Sequence, residues 1–254
     1  MKNILYIFLL STQIFFAQSG FEKGNALYEK GNYKEAVLAY ESVLNDNQHS
    51  AELYFNLGNA YYKLNKVAPS IYYYEKALVL NPKDKESINN LKFANKRTID
   101  EIKVIPKVGF AKMLRDFTGI YHYNIWGWAT IGLATLFLLF FVAYYFSQIT
   151  VWKRVFFIGM FLSILIMLVT VSSAIFEKRF FDTEKPAIVF AEMTNMKSEP
   201  RDGGKPLFLL HEGTKVYVEG IIGKWKKIQL TDGTEGWIES SAIKEVKEYQ
   251  YTEN

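Results

Sequence analysis

The sequence predicts a multidomain membrane protein: an all-α repeat solenoid, then a two-helix transmembrane hairpin, then a small all-β barrel. Three observations carry the prediction. A 34-residue register recurs near the N-terminus, two charge-free apolar runs fill the middle of the chain, and short alternating segments with turn signals follow Ala187. The implied division is an export signal at 1–17, repeats with a capping helix at 18–98, a linker or interfacial helix at 99–122, the hairpin at 123–176 and the barrel at 184–248.

The start, MKNILYIFLLSTQIFFAQSG, has one Lys2, an apolar stretch from Ile4 to Leu10 that resumes at Ile14, and Ala17 before a polar turn. That is the layout of a secretory signal peptide, with an uncleaved anchor as the alternative. Both expectations export the segment that follows. The net charge of +4 is not spread evenly: the stretches 18–100 and 177–254 are each close to neutral, so the excess lies around the apolar runs. Neither soluble part has the basic footprint of a nucleic-acid binder. Cysteine is absent, which excludes disulfides, thiolate metal sites and a thiol nucleophile.

In the repeat region Gly24 recurs as Gly58, Asn25 as Asn59, Tyr28 as Tyr62, Tyr40 as Tyr74 and Glu41 as Glu75. This period resembles the tetratricopeptide repeat, a pair of helices of which several must stack to bury a core. The second copy, 51–84, carries Tyr54, Leu57, Gly58 and Tyr61 on its first helix, Tyr74 and Ala77 on its second, and Pro82 at its end. The first copy, 17–50, departs from the pattern at Gly20 and Gln48. Ile88, Leu91 and Phe93 then predict a further helix covering the open end, and a partner could complete so short a stack. By the resemblance, the first helices line a concave surface offering Phe21, Asn25, Tyr28, Phe55, Asn56, Asn59, Tyr62 and Lys63. Aromatics mixed with amides suit peptide binding, against the alternative that these residues pack or face solvent. The carboxylate-gripping activity of some such domains is not carried over, because Glu86 and Asn90 stand at the third-helix positions.

The runs 125–146 and 155–176 each cover 22 residues without a charge. At about 1.5 Å of rise per residue each spans roughly the 30 Å hydrocarbon core of a bilayer. Tyr123, Trp126 and Trp128 open the first, Tyr144 and Tyr145 close it, and Trp152 precedes the second, as expected of aromatic belts. Lys153 and Arg154 in the intervening SQITVWKR place that loop in the cytoplasm by the positive-inside rule. With the export signal, this predicts a cytoplasmic (inner) membrane protein with both soluble domains extracytoplasmic. Gly159 and Ser163 form a small-xxx-small pair suited to close helix approach. Before the first run, Phe110, Met113, Leu114 and Phe117 lie on one side of an amphipathic stretch, with Lys112 and Arg115 beside them.

The C-terminal strands are read at AIVFAEM, PLFLLH, KVYVEGI, WKKIQL and GWI. Their order resembles a bacterial SH3-type domain, carried by the HEGTKV turn and the ending W-x-x-I…DG-x-x-GWI. Alternation points Val216 and Val218 inward with Tyr217 outward, and Ile228 and Leu230 inward with Trp225 on the other face. The resemblance makes Trp225, with Tyr217 and Trp237, a candidate ligand face, the alternative being a half-buried aromatic at the barrel edge. Glu239 and Ala242 replace the proline and tyrosine of a polyproline groove, leaving cell-wall peptide or a protein as ligand.

No catalytic, cofactor or metal constellation emerges. His49, His122 and His211 are scattered, no phosphate loop follows a strand, and no nucleophile elbow is present, so the chain is not expected to be an enzyme. The order of modules, with the stretches NNLKFANKRTIDEI and MKSEPRDGGKPLFLLHEGTKV, resembles the BatE-type proteins of the Bacteroides aerotolerance (Bat) operon. The resemblance implies a scaffold in an aerotolerance or envelope-stress complex. Its partners would be other Bat proteins with von Willebrand A-type domains and a MoxR-type AAA+ ATPase, with peptidoglycan anchoring as the alternative role.

Overall fold

The computed structural model describes residues 20–102 and 109–247. The export signal at 1–17 lies outside the described residues. The described residues form two compact units, one of 20–102 together with 185–247, the other of 109–184.

The first unit opens with five helices: α1 (residues 20–29), α2 (Tyr33–Asn45), α3 (Ala51–Lys63), α4 (Val67–Leu80) and α5 (Lys85–Asn95). The 34-residue period governs even the turns. Gly31 and Asn65 both adopt left-handed backbone, with φ of +76° and +56°, and each follows the last turn of a repeat's first helix. Matching backbone bonds close those turns, Gly31 N–H to Tyr28 O with Asn32 N–H to Leu27 O, and Asn65 N–H to Tyr62 O with Lys66 N–H to Tyr61 O. Glycine and asparagine are the residues that enter this region at least cost. Ser50 and Asp84 cap α3 and α5 by accepting the amides of Leu53 and Ser87 at 3.0 and 2.8 Å. Gly24 and Gly58 each lie flat against a tyrosine ring, Tyr40 and Tyr74; a Cβ on Gly58 would stand 2.6 Å from the Tyr74 ring.

The sheet of the same unit has seven strands: β1 (Pro186–Val189), β2 (Met193–Lys197), β3 (Pro206–His211), β4 (Lys215–Ile222), β5 (Trp225–Gln229), β6 (Glu235–Glu239) and β7 (Ile243–Glu245). Every pairing is antiparallel, in the order β3-β2-β6-β5-β4-β1-β7. The expected run AIVFAEM divides into β1 and the start of β2, and β7 is additional. The ladder is open, so a closed SH3-type barrel is not shown. Ala187, Val189, Met196, Val216, Val218, Ile228, Leu230 and Ile238 form its core, as alternation along β4 and β5 requires.

Repeats and sheet, though more than eighty residues apart in sequence, share a core. Ile188 and Val246 pack with Ala68, Ile71, Tyr74 and Ala94. The β3–β4 turn presses on α4 at Gly213, where a Cβ would meet Thr98, Val67 and Ile71 at 2.9 to 3.1 Å. The backbone there has φ of +88°, so glycine is required twice over. Around it Asp100 accepts the His211 amide at 2.7 Å and the Thr214 hydroxyl at 2.6 Å, with His211 Nδ1 2.7 Å from its other oxygen. Lys215 donates to both oxygens of Glu75 at 2.8 Å. In the first repeat the equivalent Glu41 instead accepts from Tyr61 of the following helix. One period beyond Tyr61 stands Asn95, and the sheet supplies the partner for Glu75. The chain's own sheet thus packs on the end of the stack that a completing partner could otherwise take.

In the second unit α6 (Phe110–Thr118) precedes α7 (Tyr123–Phe146) and α8 (Thr150–Thr183). The last two are long and apolar enough to cross a membrane. Their connection is shorter than SQITVWKR suggested, because α8 already begins at Thr150 and carries Lys153 and Arg154 in its first turns. At its other end α8 continues past Phe176, where Lys178 and Asp182 pair at 2.8 Å one turn apart. Small and polar residues face α7: Gly159 touches the Phe140 ring, Thr130 and Thr170 hydroxyls meet at 2.9 Å, and Ser163 and Ser173 are buried.

Candidate functional site

The first helix of each repeat and the capping helix bring asparagines into one file. Tyr40 and Asn56 both donate to Asn25 Oδ1, at 2.7 and 2.9 Å. The same pattern, moved on by one period, has Tyr74 and Asn90 donating to Asn59 Oδ1 at 2.6 and 2.8 Å. Each second-helix tyrosine therefore reaches under the groove and holds an asparagine of the first helix, and the next repeat's asparagine locks it from the side. With both bonds at one carbonyl, the amides have fixed orientations on the groove floor.

Beside Asn59 lies a concavity of about 270 Å³ lined by Tyr28, Asn59, Tyr62, Lys63, Tyr74, Asn90 and Phe93. The lining holds one cation and no acid. Lys63 is exposed at the rim, and Arg97 stacks on the Tyr62 ring at 3.7 Å while donating to Tyr62 O and Asn65 Oδ1. Burial, with the neighbouring Tyr28 assisting, pushes the Tyr40 hydroxyl up to about 12, against a lowering hydrogen bond from Asn56. Burial also raises Tyr74 above its ordinary value, outweighing hydrogen bonds from Ser70 and Asn90. Both phenols stay protonated donors at every physiological pH. The floor is thus neutral and polar, its walls are aromatic, and its charge is a positive rim.

Of the residues singled out in the sequence, Tyr28, Asn59, Tyr62 and Lys63 meet at this concavity, and Asn25 and Asn56 form the adjoining amide network. Phe21 and Phe55 instead lean on Tyr40 and Tyr74, at 5.9 and 6.1 Å between ring centres, and serve packing. Asn90 and Phe93 were not among the groove candidates. Asn90 stands one period after Asn56, so extending the register past Pro82 finds it.

The sheet residues are placed differently. Trp225 does lie across the sheet from Ile228, as alternation predicts, yet it is only 5% exposed. The Lys197 and Lys224 ammonium groups cover its ring, 4.8 and 5.4 Å from the centre. The open tryptophan platform expected from the SH3-type resemblance is therefore not presented. Trp237 and Tyr217 are half-buried. Trp237 pairs with Lys197 across β2 and β6, and Lys227, its neighbour on β5, bridges Glu219 and Glu235.

Among the described residues no group of three or more histidine, cysteine or acidic side chains is arranged to hold a metal ion. His49 contacts Tyr54, His122 caps α7 and His211 meets Asp100.

Comparison with protein families places the N-terminal helices. A TPR repeat model matches residues 24–65, and the tetratricopeptide repeat model matches residues 51–84. Residues 24–84 are tetratricopeptide repeats, modules that act through protein partners and are typically non-catalytic scaffolds. No curated protein matches the chain.

Proposed function

We propose that the protein is a membrane-anchored scaffold whose tetratricopeptide groove takes an extended segment of a partner protein. The observation that carries this reading is the amide file Asn25, Asn56, Asn59 and Asn90, fixed from beneath by Tyr40 and Tyr74 and opening into the aromatic concavity. Oriented amides match the donors and acceptors of an extended backbone, aromatic walls take its side chains, and the Lys63 rim favours an acidic or carboxylate-bearing segment. Two spans, α7 and α8, provide the anchor.

In this proposal the repeats and the sheet stand together on the extracytoplasmic side. Their shared core requires one compartment for both, which two spans allow, and the positive charges Lys153 and Arg154 favour a cytoplasmic turn. The order of modules and the stretches named above support a place in a Bat-type aerotolerance or envelope-stress assembly, with von Willebrand A-type partners. The covered Trp225 ring counts against the alternative of cell-wall binding through this face.

Site-specific photo-crosslinking in cells tests the groove. A photoreactive residue at Phe93 or Tyr62 is expected to capture a partner, and the same residue at Leu38, exposed on α2, is not. Equal capture at all three positions, or none in the groove, contradicts the reading.

A further inference from the structure

We infer that α6 is a third membrane element, a helix lying in the lipid surface and clamped to the point where α8 leaves the apolar core. This rests on reading α7 and α8 as spans.

The helix has three chemically distinct sides. Phe110, Met113 and Phe117, spaced three and four residues apart, fall on one face and are 76%, 68% and 45% exposed. Lys112 and Asp116 pair with each other at 2.6 Å on a second, exposed side. The third side is bolted to α8. Arg115 donates to both oxygens of Glu177 at 2.6 Å and lies over the Phe180 ring at 3.4 Å, while the buried Thr118 hydroxyl donates to Glu177 at 3.3 Å. Trp126, in the first turn of α7, donates its indole N–H to Thr118 O at 2.8 Å. The helix is therefore held by side chains from both long helices.

What covers the apolar face follows from its continuity with the spans. The rings of Phe117 and Tyr121 lean on Trp126 at 5.6 and 5.8 Å, so the exposed apolar surface of α6 runs without a break onto α7. The same depth is fixed twice by the covalent chain and the clamp. Only Gly119–His122 separate α6 from α7, and Glu177 is the first charged residue after the run 155–176. A surface continuous with a lipid-facing helix, at the level where charge first returns, lies at the boundary between acyl chains and headgroups. There an amphipathic helix buries an aromatic face and keeps Lys112 and Asp116 in water.

The absence of native cysteine makes the test direct, since each introduced thiol is the only one. Full-length protein with Phe110→Cys, Met113→Cys, Lys112→Cys or Asp116→Cys carries a nitroxide and is reconstituted in phosphatidylcholine–phosphatidylglycerol vesicles. Labels at 110 and 113 are expected to relax severalfold more with oxygen than with a water-soluble nickel chelate, and labels at 112 and 116 the reverse. Leu138→Cys and Leu165→Cys report the spans independently. If those two are oxygen-rich while 110 and 113 behave like 112 and 116, α6 is in water and the inference fails alone. Shielding of 110 and 113 from both reagents means protein covers the face, a second copy if the labels broaden one another, and overturns the lipid assignment. Nickel access at 138 and 165 overturns the span reading and the inference with it. Glu177→Gln is expected to lose the oxygen preference at 113; an unchanged profile removes the clamp from the account.

Discussion

At the scale of residues, the interface between repeats and sheet depends on a few positions with no slack. Gly213 needs both its positive φ and its missing side chain. Gly213→Ala is expected to cost about 2 kcal/mol, a strained backbone together with a clash, read from thermal unfolding of the full chain. Gly58→Ala forces a methyl group into the Tyr74 ring and is expected to cost about 1–3 kcal/mol by overpacking, while Gly31→Asn, a turn residue with open space around it, is close to neutral. Asp100 makes the interface sensitive to acid. Burial opposes its ionisation, but the hydrogen bonds from Thr214 and from the His211 amide and ring prevail and hold its pKa below the ordinary carboxylate value. The unfolded chain then binds more protons than the folded one in that window, so the contribution is complete above about pH 4 and is lost as pH falls through the folded value. Asp100→Asn is expected to flatten the acid limb of the stability curve; an unchanged limb would mean that the carboxylate contributes nothing. The Asp100 contact is not legible in the sequence, because Asp100 and His211 are 111 residues apart and follow no local period.

At the scale of elements, what repeats is legible and what meets only in space is not. The spacing of Gly24 and Gly58, and of Tyr40 and Tyr74, reveals the two helical pairs, and the same spacing carried to residue 90 reveals the third rung of the amide file. Strand alternation sorts Val216, Tyr217 and Val218 correctly. It does not disclose that Trp225 is covered, because the covering lysines come from β2 and from the β4–β5 turn and reach it along flexible chains. The short turn before α8 escapes detection for a related reason: Thr150–Arg154 has no helix breaker, so the helix starts as soon as Ser147–Ile149 have reversed the chain. Along α7 and α8 the Thr130–Thr170 contact is expected to contribute about 0.6 kcal/mol, the usual scale for a polar contact between spans. Thr130→Val should lower resistance to unfolding in mixed micelles by that amount, and Thr135→Val, whose hydroxyl bonds only within its own helix, should not.

At the scale of the whole molecule, the sheet ends the solenoid. It takes the Glu75 carboxylate and the apolar faces of α4 and α5 that a further repeat would bury, which lets so short an array stand alone while its groove stays open. Because repeats and sheet share one core, the proposed pair of spans has to return the chain to the side it left. That requirement also defines the most direct test. Leu38→Cys in the repeats, Gln148→Cys in the turn between α7 and α8, and Ser241→Cys in the turn between β6 and β7 each give the chain a single exposed thiol. With a membrane-impermeant maleimide on intact cells, modification is expected at 38 and 241 and none at 148 until the membrane is permeabilised. Modification of 38 and 241 from opposite sides would contradict this topology.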